Sequence, residues 1–258
     1  MPVIPSVSVR RLSQKEFGDL AYEVMKHVFA IHSDFGRLFD EKVYKKELSN
    51  RMKGVALEVA VDVTHGTFTK RYFADVVVHD GGLFEFKATD AIHPKHRAQA
   101  IHYLLLFDLA HGKVVNLRSE DVKHEFVNCH LRLGDLRQPT INDDAWSSTI
   151  PGAECFRETL TSLLADWGTG LDLTLYEEAL EYLIAAKESV PVFGQSGHLA
   201  DQSMRLISPE SSFKLTSMSQ NADSFFIHAR KLLRHTPLKV IHWANITLNQ
   251  VTLTTIHR

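Results

Sequence analysis

The spacing of apolar and polar positions predicts that helices and strands alternate along the first half of the chain. Apolar residues recur at helical spacing after Ser13, and Ser13 forms a capping-box pair with Glu16, which predicts a helix over residues 13–31. A second helix is expected to follow Gly36 and to end near Met52. Strands are predicted at residues 56–63, 68–78, 83–88, 113–117 and 125–133, with a helix opened by Pro94 at residues 94–107.

The second half of the chain begins after a stretch that has the composition of a linker. Residues 134–152 are rich in Pro, Asn, Asp and Ser. We therefore predict a first domain at residues 1–135, a linker at 136–152 and a C-terminal α+β segment at 153–258. The elements expected there are helices at residues 154–167, 175–187 and 222–234, short strands between 190 and 217, and a hairpin of residues 239–245 and 250–256.

Composition narrows the class of protein. The chain has 258 residues and a net charge of -2, so contact with nucleic acid must come from local patches rather than from bulk charge. The longest strongly apolar stretch, residues 103–107, is too short to span a membrane, and the N-terminus lacks the apolar segment of a signal peptide. Two cysteines without a C-x-x-C pair give no cysteine-rich zinc site. These features predict a cytoplasmic protein without membrane association.

Asp75, Glu85 and Lys87 form the most specific chemical pattern in the sequence. They lie on two predicted strands joined by the turn-forming residues 79–82, and strand alternation puts Glu85 and Lys87 on one face. Carboxylates suit Mg²⁺ and Mn²⁺, and such ions stabilise the anionic phosphorus of phosphodiester hydrolysis and activate water. The pattern therefore predicts a metal-dependent phosphodiesterase, in which Asp75 and Glu85 bind the metal while Lys87 orients water or offsets phosphate charge.

The length of the loop between the two strands decides whether the three side chains meet. A two-residue loop at Asp80 and Gly81 would pair Asp75 with Phe86 and turn Asp75 to the opposite face. A three-residue loop at residues 80–82 would pair Asp75 with Lys87 and gather all three polar groups on one face. We therefore predict an odd loop or a bulge.

A surface role for these residues is the competing interpretation, because many amphipathic hairpins carry a polar face. The neighbouring strand residues are apolar on both faces, which favours a buried hairpin in which a pair of acids needs a metal or a counter-ion. These apolar neighbours are Phe73, Val76, Val77, Val78, Phe84 and Phe86.

The helix predicted after these strands presents Gln99 and Tyr103 on one face, because they are four residues apart. They could grip phosphate oxygens or orient Lys87, or they could be ordinary half-buried helix residues. Glu58 is a further acid that could approach the site, although a solvated charge is the favoured interpretation. A group of basic residues near the site either contacts phosphates or forms a solvated face; its members are Lys42, Lys45, Lys46, Arg51 and Lys53.

The order of these elements and motifs resembles the PD-(D/E)XK nucleases of the RecB-like group. The stretches FADVVV, LFEFK and QAIHY carry the resemblance, which extends from about Leu20 to Val127. More narrowly, FGRLFDEKVYKKEL and KVVNL are similar to the GxxExxY family of that superfamily. Glu41 and Tyr44 match the last two named positions of its signature, whereas Leu38 stands where the glycine is expected.

The resemblance implies a restriction-endonuclease-like α/β fold, with a mixed sheet flanked by helices. The α+β segment at residues 153–258 lies outside it. Asp75 and Glu85 would bind Mg²⁺ or Mn²⁺, and Lys87 would be the catalytic lysine. Glu41 has a second interpretation, as a charge that stabilises the N-terminus of its helix. The full set of implied catalytic residues is Asp75, Glu85, Lys87, Gln99, Tyr103 and Glu41.

These observations predict a metal-dependent nuclease whose partner is nucleic acid; the resemblance favours DNA, and the residues themselves do not distinguish DNA from RNA. The alternative is a catalytically silent member of the fold that binds nucleic acid or a protein partner. No Gly-x-Ser-x-Gly motif supports a serine hydrolase. Because its short strands leave edges that need cover, the C-terminal segment is expected to pack on the first domain or to form a homodimer.

Overall fold

The computed structural model describes residues 2–258, which form two compact units that divide between Leu133 and Gly134. Each unit contains one six-stranded mixed sheet, and six helices flank the two sheets. This mixed α/β architecture is the one expected for a restriction-endonuclease-like protein. Within residues 2–258, no helix combines the length and the apolar character that crossing a membrane requires.

The first unit has its strands in the order β1-β2-β3-β4-β5-β6. Neighbouring strands are antiparallel except β4 and β5, which are parallel because α3 connects them as a crossover. The elements are β1 (Val3–Pro5), α1 (Gln14–Phe35), α2 (Glu41–Arg51), β2 (Val55–His65), β3 (Phe68–Val78), β4 (Gly82–Lys87), α3 (Pro94–Leu106), β5 (His111–Asn116) and β6 (Lys123–Asn128). β1 was not predicted; it pairs with β2 at the sheet edge.

The predicted capping box begins α1. The Ser13 backbone N donates to Glu16 Oε2 at 2.8 Å, and the Glu16 backbone N donates to Ser13 Oγ at 3.3 Å. The helix ends at Gly36, which adopts a φ of 68° that favours glycine. The apolar face of α1 packs against the sheet, where Phe84 and Phe86 of β4 are both buried in the same core. Their burial leaves the alternate residues of β4, Glu85 and Lys87, on the other face.

The second unit contains β7 (Thr140–Ala145), α4 (Ala153–Trp167), α5 (Leu173–Ile184), β8 (Ala186–Gly194), β9 (Gly197–Ser208), β10 (Ser211–Thr216), α6 (Ala222–Arg234), β11 (Val240–Ile246) and β12 (Gln250–His257). Its strands lie in the order β7-β12-β11-β10-β9-β8. The helix predicted at residues 175–187 lies slightly earlier in the chain, at Leu173–Ile184, because β8 already begins at Ala186. Part of the predicted linker at 136–152 is also a strand, since β7 pairs with β12.

Candidate active site

A three-residue loop, residues 79–81, joins β3 to β4. The strands pair Val76 with Phe84, Val77 with Leu83 and Val78 with Gly82. The predicted odd loop is therefore confirmed. The predicted register is wrong, because the loop closes one residue earlier than expected, and continuing the observed pairing places Asp75 opposite Glu85 rather than Lys87. A shift of two residues keeps all three polar side chains on one face.

The loop closes early because its residues adopt left-handed backbone conformations. His79 has a φ of 47° and Asp80 a φ of 58°; both residue types tolerate this region better than most. Gly81 is required for a different reason. A Cβ at Gly81 would lie 2.5 Å from the Arg10 carbonyl oxygen, so the chain before α1 can pack on the loop only if a glycine is present.

Two carboxylates and a lysine lie together in the interior of the first unit. Asp75 is 9% exposed, Glu85 1% and Lys87 8%. Lys87 Nζ donates to Glu85 Oε1 at 2.7 Å and lies 3.6 Å from Asp75 Oδ2. Asp75 Oδ2 also accepts a hydrogen bond of 3.0 Å from the Phe86 backbone N. Since buried charges are costly unless they are paired, this arrangement favours a site over an exposed polar face.

Burial and the neighbouring acid both act on Glu85. Desolvation, followed by the charge of Asp75, raises the pKa of Glu85 to about 8, against the opposing effect of Lys87. Burial lowers the pKa of Lys87, but the charges of Glu85 and Asp75 outweigh it and raise that pKa overall. Glu85 Oε2 is buried and has no hydrogen-bond partner. A second cation beside Glu85 would satisfy this oxygen and reduce the repulsion between the two acids.

Tyr103 and Gln99 of α3 lie next to this group. Tyr103 is 7% exposed, and Gln99, which is half-buried, hydrogen-bonds its hydroxyl. Burial raises the pKa of Tyr103, and the charges of Glu85 and Asp75 add to that rise. The structure therefore brings the predicted helix residues to the acids, with Tyr103 protonated and able to donate a hydrogen bond.

Glu41 approaches the same place from the first turn of α2. Its Oε1 accepts a hydrogen bond of 3.1 Å from the Ala88 backbone N, directly after β4. Its negative charge contributes to the raised pKa of Lys87. Glu41 thus lies at a helix N-terminus, as its second interpretation requires, and also holds the end of the strand that carries Lys87.

For two residues of this group, Lys45 and Glu58, the sequence favoured a solvated position, and the structure corrects it. Lys45, one turn after Glu41 on α2, donates to Asp75 Oδ1 at 2.8 Å and also to Glu58 Oε1. Lys45 is 7% exposed, unlike a member of a solvated basic face. Burial lowers its pKa, but its bonds to Asp75 and Glu58 raise it overall. The helical spacing from Glu41 to Lys45 was the available signal.

Glu58 reaches Lys45 through an irregular point in β2. The β2–β3 pairing includes Leu57 with Val76 and Val59 with Ala74, but it skips Glu58, whose φ is 49°. Such a conformation is uncommon for a glutamate and often marks a functional site. No sequence pattern within residues 56–63 indicated it.

The donor set fits a magnesium-like ion better than a zinc ion. Among residues 2–258, no cluster of three or more His, Cys, Asp or Glu side chains is arranged to hold a metal. Mg²⁺, however, is typically bound through one or two carboxylates and keeps several waters. The two acids, together with the unpartnered oxygen of Glu85, meet that requirement.

Comparison with known proteins gives a family match that lies within the first unit. Residues 18–129 match the family model of the PD-(D/E)XK nuclease superfamily, a range that encloses all of the predicted catalytic residues. Nuclease activity is what this similarity suggests. No curated protein matches the chain. A protein of known crystal structure, designated SSO0001, is 22% identical in sequence to this chain. The match covers 46% of this chain and 60% of that chain, with a TM-score of 0.29. The chain thus spans about 60% of the length of that solved protein.

Proposed function

We propose that the protein is a Mg²⁺- or Mn²⁺-dependent nuclease that hydrolyses phosphodiester bonds in DNA. The observation that carries this proposal is the buried pair Asp75 and Glu85, which shares Lys87 and leaves Glu85 Oε2 without a partner. A scaffold that only needed stability would gain little from burying two acids side by side, where the pKa of one of them is raised to about 8. We further propose that residues 18–129 are of the RecB-like, GxxExxY type.

The residues of the site have separable roles. Asp75 and Glu85 would hold the metal, which when bound supplies Lewis-acid stabilisation of the phosphate and a more acidic water. Lys87 is held by Glu85, so its ammonium is oriented where it can position a water or neutralise a phosphate oxygen. Tyr103 can donate its phenolic proton to a phosphate oxygen, and Gln99 fixes the direction of that phenol.

Glu41 is a positioning residue in this proposal. Its bond to the Ala88 backbone fixes the end of β4, and therefore the backbone that carries Lys87. Loss of Glu41 should misplace Lys87 without removing a metal ligand.

Cleavage assays test the proposal directly. Linear and circular, single- and double-stranded DNA and a matched RNA are incubated with Mg²⁺, Mn²⁺ or EDTA. We expect metal-dependent cleavage of DNA, reduced by at least about a hundredfold in Asp75→Asn and in Lys87→Met, the scale on which removal of one charge-stabilising group slows an enzyme. Asp62→Asn is the matched control, since Asp62 lies in the same sheet but pairs with Arg71 at 2.7 Å, away from the acids.

Two outcomes contradict the proposal. Cleavage that survives in Asp75→Asn would locate the chemistry elsewhere. Absence of cleavage of every substrate by folded wild-type protein with either metal would favour the catalytically silent alternative. The homodimer through residues 153–258 stays a prediction, which the molecular mass of the protein in solution tests.

A further inference from the structure

Lys45 donates a hydrogen bond to one of the two carboxylate oxygens through which Asp75 would bind a metal. Its ammonium lies 2.8 Å from Asp75 Oδ1, while Asp75 Oδ2 accepts from the Phe86 backbone N. Both oxygens of Asp75 are therefore engaged, whereas Glu85 still has a free oxygen. An ammonium and a divalent cation repel each other at this distance, so the charge of Lys45 opposes the binding of a metal at Asp75 Oδ1.

We propose that Lys45 is a tethered competitor of the metal: it neutralises Asp75 in the metal-free protein and leaves that carboxylate when a divalent cation binds. This inference rests on the proposed function, since it requires a metal site at Asp75 and Glu85. Metal affinity would then depend on α2, which carries Lys45, as well as on the strands that carry Asp75 and Glu85.

The second partner of Lys45 provides a place for the displaced ammonium. The Glu58 side chain is 55% exposed, whereas that of Asp75 is 13% exposed. Lysine has a flexible four-carbon stem. The ammonium can therefore move toward solvent and keep its bond to Glu58 while it gives up Asp75. The irregular backbone at Glu58, outside the β2–β3 pairing, directs this carboxylate to Lys45.

The neighbours of Lys45 on the same helix differ from it. Lys42 has an 82% exposed side chain, and Lys46 is also exposed. Neither has an ion pair with Asp75. Lys46 therefore provides a matched control: Lys46→Met changes the net charge by the same amount on the same helix, without touching the acids.

Isothermal titration with Mn²⁺ alone, and with Ca²⁺ alone, tests the competition. The proteins are wild type, Asp75→Asn, Lys45→Met, Lys46→Met and the double variant Lys45→Met/Asp75→Asn. We expect Lys45→Met to bind metal at least about tenfold more tightly than wild type, because a unit charge at hydrogen-bond distance from Asp75 has been removed. Lys46→Met should bind within about twofold of wild type. The added Asp75→Asn should abolish the gain.

Thermal unfolding provides a second readout that does not depend on activity. In EDTA, Lys45→Met should melt below wild type because Asp75 loses its counter-ion, and Mn²⁺ should raise its melting temperature by more than it raises that of wild type. If Lys45→Met is too unstable to purify without metal, Lys45→Gln keeps a hydrogen-bond donor without the charge, and the same order is expected.

The outcomes separate this inference from the proposed function. If wild type binds metal through Asp75 but Lys45→Met binds equally or more weakly, the competition is wrong and the nuclease proposal stands. If no protein binds metal, or binding is unchanged by Asp75→Asn, both are wrong. If Lys46→Met gained as much metal affinity as Lys45→Met, net charge alone would explain the tighter binding. That result would also overturn the role of Lys45.

Discussion

The two units differ in which polar groups they bury. In residues 2–133 the buried side chains include charged ones, and most of these surround one point: Lys45, Asp75, Glu85 and Lys87. In residues 134–258 no Asp, Glu, Lys or Arg side chain is buried. The buried polar residues there are Thr169, Ser211, Ser212, Thr236, His242 and Thr255.

The first unit, unlike the second, buries charged side chains that lower its stability unless they are paired. Burying charge opposes folding unless ion pairs and hydrogen bonds offset it, so a core selected only for stability avoids it. Lys113 is the exception in the first unit: it is buried and lies 3.5 Å from the centre of the Phe126 ring, a cation–π contact. The remaining buried charges form one coupled group, as expected of a site rather than of a scaffold.

The pH dependence of the two units should have opposite signs. His242 is completely buried, packs against Trp146 and Phe156, and neither ring nitrogen has a partner. Burial, and then the charge of His257, lowers the pKa of His242 from 6.5 to about 4. The unfolded chain binds the proton more tightly. The stability contribution is therefore complete above pH 6.5 and is lost as pH falls toward 4, by up to about 3 kcal/mol.

Tryptophan fluorescence reads out this prediction selectively, because all three tryptophans of the chain lie beyond residue 134. Urea unfolding of wild type should shift to lower midpoint between pH 7 and pH 4.5. His242→Phe should lose most of that shift, whereas the exposed-site control His228→Gln should keep it. An unchanged shift in His242→Phe would show that another group is responsible.

A pH dependence of opposite sign is expected in the first unit. The pKa of Glu85 is raised from 4.5 to about 8, so the folded state binds its proton more tightly than the unfolded chain does. Stability is therefore greatest below pH 4.5 and falls as pH rises toward 8. Without metal, Glu85→Gln should raise the free energy of unfolding at pH 8 by about 1 kcal/mol, as relief of a strained site commonly does.

Calorimetry in EDTA at pH 8 measures this gain in the free energy of unfolding. Calorimetry is needed because the first unit contains no tryptophan, so fluorescence does not follow its unfolding. Glu120→Gln, at an exposed position of the same unit, is the control and should have no effect. If Glu85→Gln destabilises the protein as much as loss of a buried ion pair would, Glu85 serves the fold and the contrast between the units fails.

The sequence predicted which side chains of the hairpin share a face better than it predicted the strand register. Strand alternation was sufficient to put Glu85 and Lys87 on one face, and the parity argument was sufficient to add Asp75. The register was wrong by two residues, because glycines were expected to form the loop while His79 and Asp80 adopt the left-handed conformations. Local composition does not determine which residues of a turn adopt the left-handed backbone conformation.

The features that the sequence did not predict depend on contacts between distant parts of the chain. Lys45 resembles its exposed neighbours in sequence, and only the packing of α2 brings it to Asp75. β7 was assigned to a linker because its residues are polar, but it pairs with β12, about a hundred residues later. Periodicity describes an element by itself and gives no information about such partners.

The most direct test of the central claim is a crystal structure of the protein soaked with Mn²⁺, with anomalous scattering used to locate the ion. We expect an anomalous peak at coordinating distance from carboxylate oxygens of both Asp75 and Glu85, with Lys45 no longer bonded to Asp75. Crystals of Asp75→Asn treated in the same way should lack the peak. An ion bound elsewhere, or an intact Lys45–Asp75 pair with no peak at saturating Mn²⁺, would contradict the assignment of this site.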